Sequence, residues 1–315
     1  MPDSSAARLS VAPPAISIRG LTKRYGRTPA VDNLTLDVLP GEIFGFLGLN
    51  GAGKTTTIRI LLDLVRPTSG AAFVLGHHCR SDGLAARAAI GYLPGEIAYY
   101  GDMTGRQVLD LLDRLGSERV RLPLQRRLLE RFALTPDDLA RRLREYSAGM
   151  KRKLGLVQAF QADPPLLILD EPTEGLDPLM QEALYDLLAE VRGRGRTVFM
   201  SSHVLPEVDR VCDRIGVLRG GTLALVAPVD EVRRLAPRRV HVTFAADVEG
   251  PGAAWPPGVE LADAAARRWS LSVRGPLGPL VHLLAALPVA DLHVDEPHLE
   301  DVVLGYYRDP PGGFR

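Results

Sequence analysis

Gly48-Leu49-Asn50-Gly51-Ala52-Gly53-Lys54-Thr55 constrains this chain more than any other stretch. Glycine, four residues, then Gly-Lys-Thr is the pattern of a phosphate-binding loop, which works only between a strand and a helix. Both flanks are expected here. Glu42 to Leu47 is a short, mostly apolar run after Pro40-Gly41 and reads as a buried strand. Ile58, Leu61, Leu62 and Val65 recur at helical spacing until Pro67 stops the helix. The glycines let backbone N–H groups crowd around a polyphosphate, and the helix N-terminus adds a partial positive charge. Lys54 is expected to reach the β- and γ-phosphates and the Thr55 hydroxyl to hold Mg²⁺. The loop, with Thr56 directly after it, thus defines a nucleoside triphosphate site.

Leu166-Leu167-Ile168-Leu169-Asp170-Glu171 supplies its complement. Four apolar residues ending in two carboxylates describe a buried strand with acids at its C-terminal edge, where open α/β sheets bind ligands. Asp170 is the expected Mg²⁺ ligand, and Glu171 the group that polarises the attacking water. A turn, Glu174-Gly175-Leu176-Asp177-Pro178, leads to a helix expected over Gln181 to Arg192. Thr197 to Met200 is another apolar strand, ending at Ser201-Ser202-His203. His203 at that tip is placed for a γ-phosphate, although a lone histidine is more often structural. Tyr25, upstream of the loop, has two readings, a core aromatic or a platform for stacking a base.

Composition bounds the rest. With 315 residues, one large domain plus a small one is the default. Hydrophobic content of 46% against 24% charged is that of a chain able to bury a core. The 38 basic and 38 acidic residues cancel, so no global field draws the chain to nucleic acid, and no nucleic-acid partner is expected. Arginines concentrate between Arg106 and Lys153, but acids interleave with them, as on solvated helix faces. Cys79 and Cys212 stand far apart in no metal-ligand spacing, which suits a reducing compartment. Residues 1–15 lack a signal-peptide core and read as a disordered tail. Leu280 to Ala290, broken by His282 and Pro288, is too short to span a bilayer.

Other stretches fill in the order. Ile16–Arg19 and Leu34–Val38 alternate as half-buried strands, and Ser69 to Gly76 reads as a short hairpin. His77-His78-Cys79 reads as a polar turn, Ser81 to Ala89 as a helix, and Ile90–Leu93 as a strand ending at Pro94-Gly95-Glu96. From Thr104 to Arg144 the pattern is helical throughout, an insertion in an otherwise alternating α/β chain. Beyond Arg238 the expected order is strand (Val240–Phe244), strand (Trp269–Val273), helix (Leu280–Leu287), strand (Asp291–Val294), helix (Leu299–Tyr306), with a loop over Glu249–Gly258.

Tyr146-Ser147-Ala148-Gly149-Met150, placed just before Asp170-Glu171, resembles the signature motif of ABC transporter nucleotide-binding domains. The resemblance covers roughly Ile16 to Asp230. It implies an α/β fold of the P-loop NTPase class with a RecA-like core, an antiparallel β subdomain and a helical subdomain over about residues 97–155. Residues 231–315 would then form a linker helix and a small α+β domain serving assembly. The resemblance implies ATP and Mg²⁺ as ligands, Tyr25 as the adenine-stacking residue, Glu174–Asp177 as the D-loop and His203 as the switch histidine. It also implies a homodimer in the ATP-bound state, in which Ser147, Ala148, Gly149 and Met150 of one copy contact ATP held by the other. The location implied is cytoplasmic, peripheral on the inner face of the membrane, beside an integral-membrane permease.

Several positions depart from the family pattern. Leu49 stands where proline is common, Ala148 and Met150 alter the signature, and Glu174 replaces a frequent serine. Gly95 stands where glutamine is usual. The next residue, Glu96, carries a carboxylate that suits a hard cation and is either a substitute metal ligand or a solvated loop acid. These variants look like the ATPase subunits of ABC-2-type exporters, including bacterial drug and antibiotic efflux systems. Glu296-Pro297-His298-Leu299-Glu300-Asp301-Val302-Val303-Leu304 resembles the ending of their C-terminal domains. Two rival readings are a soluble ABC ATPase acting on ribosomes or DNA, and an importer ATPase with a regulatory C-terminal domain.

Overall fold

A computed structural model describes residues 13–115, 122–249, 255–295 and 299–308. The expected tail falls mostly outside these residues, as do Glu296, Pro297, His298 and part of the Glu249–Gly258 connection. Ala15, assigned to the tail from sequence, is fully buried, and its N–H donates to Val38 O at 2.8 Å.

Among the described residues the first elements are β1 (Ile16–Tyr25) and β2 (Thr28–Val38), an antiparallel pair. Next come β3 (Ile43–Leu47) and α1 (Lys54–Leu61), the strand and helix demanded by the glycine-rich loop. The helix is shorter than its apolar spacing suggests, because Asp63 turns left-handed at φ 56° and closes it before Val65. β4 (Ser69–Val74) and β5 (His77–His78) complete a four-stranded sheet in the order β2-β1-β4-β5. The histidines read as a turn thus pair with Val74 and Phe73. After α2 (Gly83–Ala88) and β6 (Ile90–Leu93) the insertion follows. It is not helical throughout. It divides into α3 (Gly105–Leu115), α4 (Leu122–Arg131), α5 (Pro136–Ala140) and a 3₁₀ turn at Leu143–Glu145. Thr135 starts α5 with a capping box closed by Asp138, so local hydrogen bonding overrides the apolar periodicity there.

α6 (Ala148–Phe160), β7 (Leu166–Asp170), α7 (Pro178–Gly193), β8 (Thr197–Ser202), α8 (Leu205–Val211), β9 (Arg214–Arg219) and β10 (Thr222–Pro228) finish the core. α7 starts three residues before the expected Gln181, with Pro178 in its first turn and Asp177 capping it. Six strands form one sheet in the order β10-β9-β3-β8-β7-β6, parallel from β9 through β6. Every residue of β3, β7 and β8 is buried, as a parallel sheet covered on both faces requires. Phe44 and Phe46 meet Phe199 at centroid distances of 5.9 and 5.2 Å and fix β3 against β8. At the far edge, a β-carbon on Gly91 of β6 would stand 2.1 Å from Ala159 O, so only glycine lets α6 lie this close.

The chain divides into two compact units, Met1–Val226 and Ala227–Arg315. The second contains α9 (Val229–Leu235), β11 (Arg238–Phe244), β12 (Val259–Ala265), β13 (Arg268–Val273), α10 (Gly278–Leu284), β14 (Val289–Val294) and α11 (Leu299–Arg308). Its sheet runs β12-β13-β11-β14 around Trp269, Phe244 and Leu280. β12 is absent from the sequence reading, because six of its seven residues are exposed and leave no alternation to detect. Among the described residues no helix is long and apolar enough to cross a membrane.

Candidate active site

β3, β7 and β8 stand side by side and in parallel, so their C-terminal ends meet at one edge of the sheet. β3 delivers the glycine-rich loop, β7 the acids and β8 the Ser201–His203 tip. Gly53 joins loop to helix at φ 110°, and a β-carbon there would lie 2.3 Å from Ala30 O. No other residue type fits that position without moving backbone. Lys54 is buried, and its Nζ donates to Gly48 O at 2.5 Å while pairing with Glu171 Oε1 at 3.3 Å.

The acids are held from several sides. Asp170 is only 2% exposed. Its Oδ1 accepts from Ser201 Oγ at 2.5 Å, and its Oδ2 accepts from Thr55 Oγ1 at 3.2 Å. Glu171 sits in the left-handed backbone region at φ 51°, which costs a non-glycine residue about 1–2 kcal/mol. Its N–H donates to Ser201 O at 3.2 Å and Ser201 Oγ at 3.1 Å, and its Oε2 lies 2.8 Å from His203 Nδ1. The Glu171 carboxylate is therefore suspended between Lys54 and His203. His203 itself is exposed.

A cleft of about 530 Å³ opens over these groups. Leu49 to Thr56, Gly95, Glu96, Asp170, Glu171 and Glu174 line it, and Gly48 stands directly behind. Leu49, Asn50, Gly51 and Thr55 are exposed to it, whereas Ala52 is buried. Gly95 lies against the metal-type acid, where a β-carbon would stand 3.2 Å from Asp170 Oδ2. Thr55 and Asp170 present hard oxygen donors side by side, the chemistry Mg²⁺ prefers. Among the described residues no three His, Cys, Asp or Glu side chains form a metal cage. Mg²⁺ usually takes one or two carboxylates and completes its shell with phosphates and water, so this donor set fits it.

Not every expected site residue lines that cleft. Tyr25 is 52% exposed and so no core aromatic, with Lys23 Nζ 5.0 Å from its ring centroid. Ser147 caps α6, its Oγ accepting from Met150 N–H at 3.2 Å, and Ser147 and Ala148 are exposed. Gly149 packs against the turn after β7, where a β-carbon would meet Gly175 O at 2.9 Å. Asp177 caps α7 through Oδ1, which accepts from Met180 N–H at 3.0 Å.

Sequence reasoning missed two residues. Ser201 binds both acids, and Arg152 of α6 donates to three backbone carbonyls. They are Pro94 O at 2.7 Å, Glu171 O at 2.8 Å and Glu174 O at 3.1 Å. Arg152 is 4% exposed, and burial pulls its pKa below the ordinary arginine value, opposed by the carboxylates of Glu174, Asp170 and Glu171. Its place two residues after Met150 carries no motif that would have flagged it.

A glycine-rich loop on a parallel strand, beside a buried aspartate–glutamate pair at the same sheet edge, defines a phosphate-loop nucleoside triphosphatase. The chain belongs to the ABC transporter family, as an ATPase: the family profile described as ABC transporter matches residues 31–174. It is 40% identical over 222 residues to the daunorubicin resistance ATP-binding protein DrrA3 of Streptomyces coeruleorubidus, covering 70% of each chain. It is 36% identical over 223 residues to the bacitracin transport ATP-binding protein BcrA of Bacillus licheniformis, covering 70% of this chain and 71% of that one. A solved ATP-binding subunit of an ABC transporter is 31% identical with a TM-score of 0.65, covering 70% of this chain and 92% of that chain.

Proposed function

We propose that this chain powers a membrane exporter of the ABC-2 type, pairing with a second copy when ATP is bound and separating after hydrolysis. The observation that carries the hydrolytic part is the Glu171 carboxylate, held 3.3 Å from Lys54 and 2.8 Å from His203 beside a buried aspartate. The names of DrrA3 and BcrA, one a resistance and one a transport protein, support an export role with a drug-like or amphipathic cargo. The working place is then the inner face of the membrane, against a permease that supplies the path for cargo.

In this reading the γ-phosphate takes over the Lys54 ammonium, and Glu171 is released to accept a proton from the attacking water. His203 holds the other carboxylate oxygen and orients it. Thr55 and Asp170 would hold Mg²⁺, which when bound neutralises charge on the phosphates. Tyr25 offers an exposed ring to the adenine. Ser147, Ala148, Gly149 and Met150 present their exposed or half-buried face to ATP on the second copy, and Asp177 lies on the turn that would meet it.

Glu171→Gln keeps the shape of the side chain and removes its basicity. ATP turnover of the purified variant should fall by about 10²–10⁴-fold while ATP affinity stays close to wild type. Undiminished turnover would remove Glu171 from the role of base.

A further inference from the structure

Arg152 is a buried cation whose three hydrogen bonds all go to backbone carbonyls, none to a carboxylate. Nε donates to Glu174 O at 3.1 Å, one terminal nitrogen to Pro94 O at 2.7 Å and the other to Glu171 O at 2.8 Å. The only acid in ion-pair range among the described residues is Glu174, at 3.6 Å and two-thirds exposed. Three carbonyls on one guanidinium are a specific arrangement, since the planar fork fixes their relative positions. Each carbonyl belongs to a different part of the site. Pro94 precedes Gly95, which lies against Asp170. Glu171 carries the carboxylate between Lys54 and His203. Glu174 opens the turn whose Gly175 carbonyl packs on Gly149.

Glu171 has backbone angles that a non-glycine residue adopts only when its surroundings hold it there. Ser201 grips its N–H and Arg152 its carbonyl, so the peptide on either side is anchored. Arg152 stands five residues after Ser147 on the same helix. A shift of α6 along its axis therefore moves the donor that holds Glu171. We propose that Arg152 is a positioning residue for hydrolysis: through its three carbonyl bonds it ties the helix that begins at Ser147 to the backbone that aims the Glu171 carboxylate. This rests on the reading of Glu171 as the base. It also gives the loop at Gly95, which has no side chain, a fixed link to α6 through the preceding carbonyl.

The test uses the full chain with Mg²⁺ and ATP and compares wild type, Glu171→Gln, Arg152→Met, Arg152→Lys and the double variant Arg152→Met with Glu171→Gln. Methionine fills much of the arginine stem without any donor, and lysine keeps the charge and some donors. In Arg152→Met, kcat per ATP-binding site falls about 10–10²-fold, the scale of a misplaced catalytic group. KM for ATP stays within about threefold, and Arg152→Lys recovers part of the loss. In the Glu171→Gln background, Arg152→Met changes the residual hydrolysis by less than about twofold, because the backbone it aims no longer carries a base.

Wild-type kcat in Arg152→Met, or a loss that adds in full to that of Glu171→Gln, overturns the proposal. So does a loss confined to the fraction of protein that binds ATP, which is what a purely structural arginine would produce. If Arg152→Met does not fold, the same comparison with Arg152→Lys decides. Wild-type kcat in Glu171→Gln is a separate outcome that removes the base assignment itself, and the proposal with it.

Discussion

Ser201 donates to Asp170 Oδ1 at 2.5 Å and accepts from the Glu171 N–H at 3.1 Å, so one hydroxyl on β8 holds Asp170, the last residue of β7, and Glu171 just beyond it. Next along β8, Ser202 Oγ donates to Oε2 of the buried Glu207 at 3.3 Å. Burial pushes the Glu207 pKa above the ordinary glutamate value, against hydrogen bonds from Thr173 and Ser202 that pull it down. A carboxyl raised in the folded state binds its proton more tightly there than in the unfolded chain. It adds stability below the ordinary glutamate value and loses that contribution as pH rises through the raised one. Glu207→Gln should therefore melt higher than wild type at neutral pH, with the difference shrinking towards about pH 4. Thermal melts across that range check it, and a glutamine variant less stable at neutral pH would contradict it. At this scale the sequence displayed the residues whose chemistry is local. Gly48 to Thr55 and Asp170-Glu171 are consecutive and announce themselves by glycines and paired charge. Ser201 and Arg152 act on partners 31 and 58 positions away, so only the folded sheet and helix bring their roles into view.

At the scale of elements, the loop after β6 carries Gly95 where the resemblance implies glutamine. Gly95 lies so close to Asp170 that any side chain there would begin 3.2 Å from a carboxylate oxygen. Glu96, one residue on, is exposed and lines the same cleft as Asp170. We take it as a further oxygen donor that joins the metal when ATP is bound. Glu96→Ala should then raise the Mg²⁺ concentration for half-maximal ATP hydrolysis, and Glu96→Gln, which keeps an oxygen donor, should largely preserve it. An alanine variant with the wild-type Mg²⁺ dependence would leave Glu96 a solvated loop acid. Legibility among the elements followed burial. β3, β7 and β8 are buried along their whole length and read as apolar runs, whereas β12 buries one residue in seven and gave no signal. The insertion read as helical throughout because apolar residues recur at helical spacing over Val108–Leu115 and again over Leu124–Leu129, while the break before α5 is made by the Thr135–Asp138 cap and the left-handed Ala133.

For the whole molecule, the cleft over the glycine-rich loop is lined by one half of the expected ATP contacts. Ser147 and Ala148 are exposed on α6 and do not line it. On the proposed reading a second copy completes the site, with the N-terminal end of α6 facing the phosphates held by that copy. Ala148→Arg places a bulky cation on that exposed face without touching the loop that binds ATP. The most direct test is the mass of Glu171→Gln in solution with Mg²⁺ and ATP, by light scattering. The expected result is a dimer that forms only with ATP, retains it, and is lost when Ala148→Arg is added while ATP binding persists. A protein that stays monomeric with ATP bound at every site would contradict it.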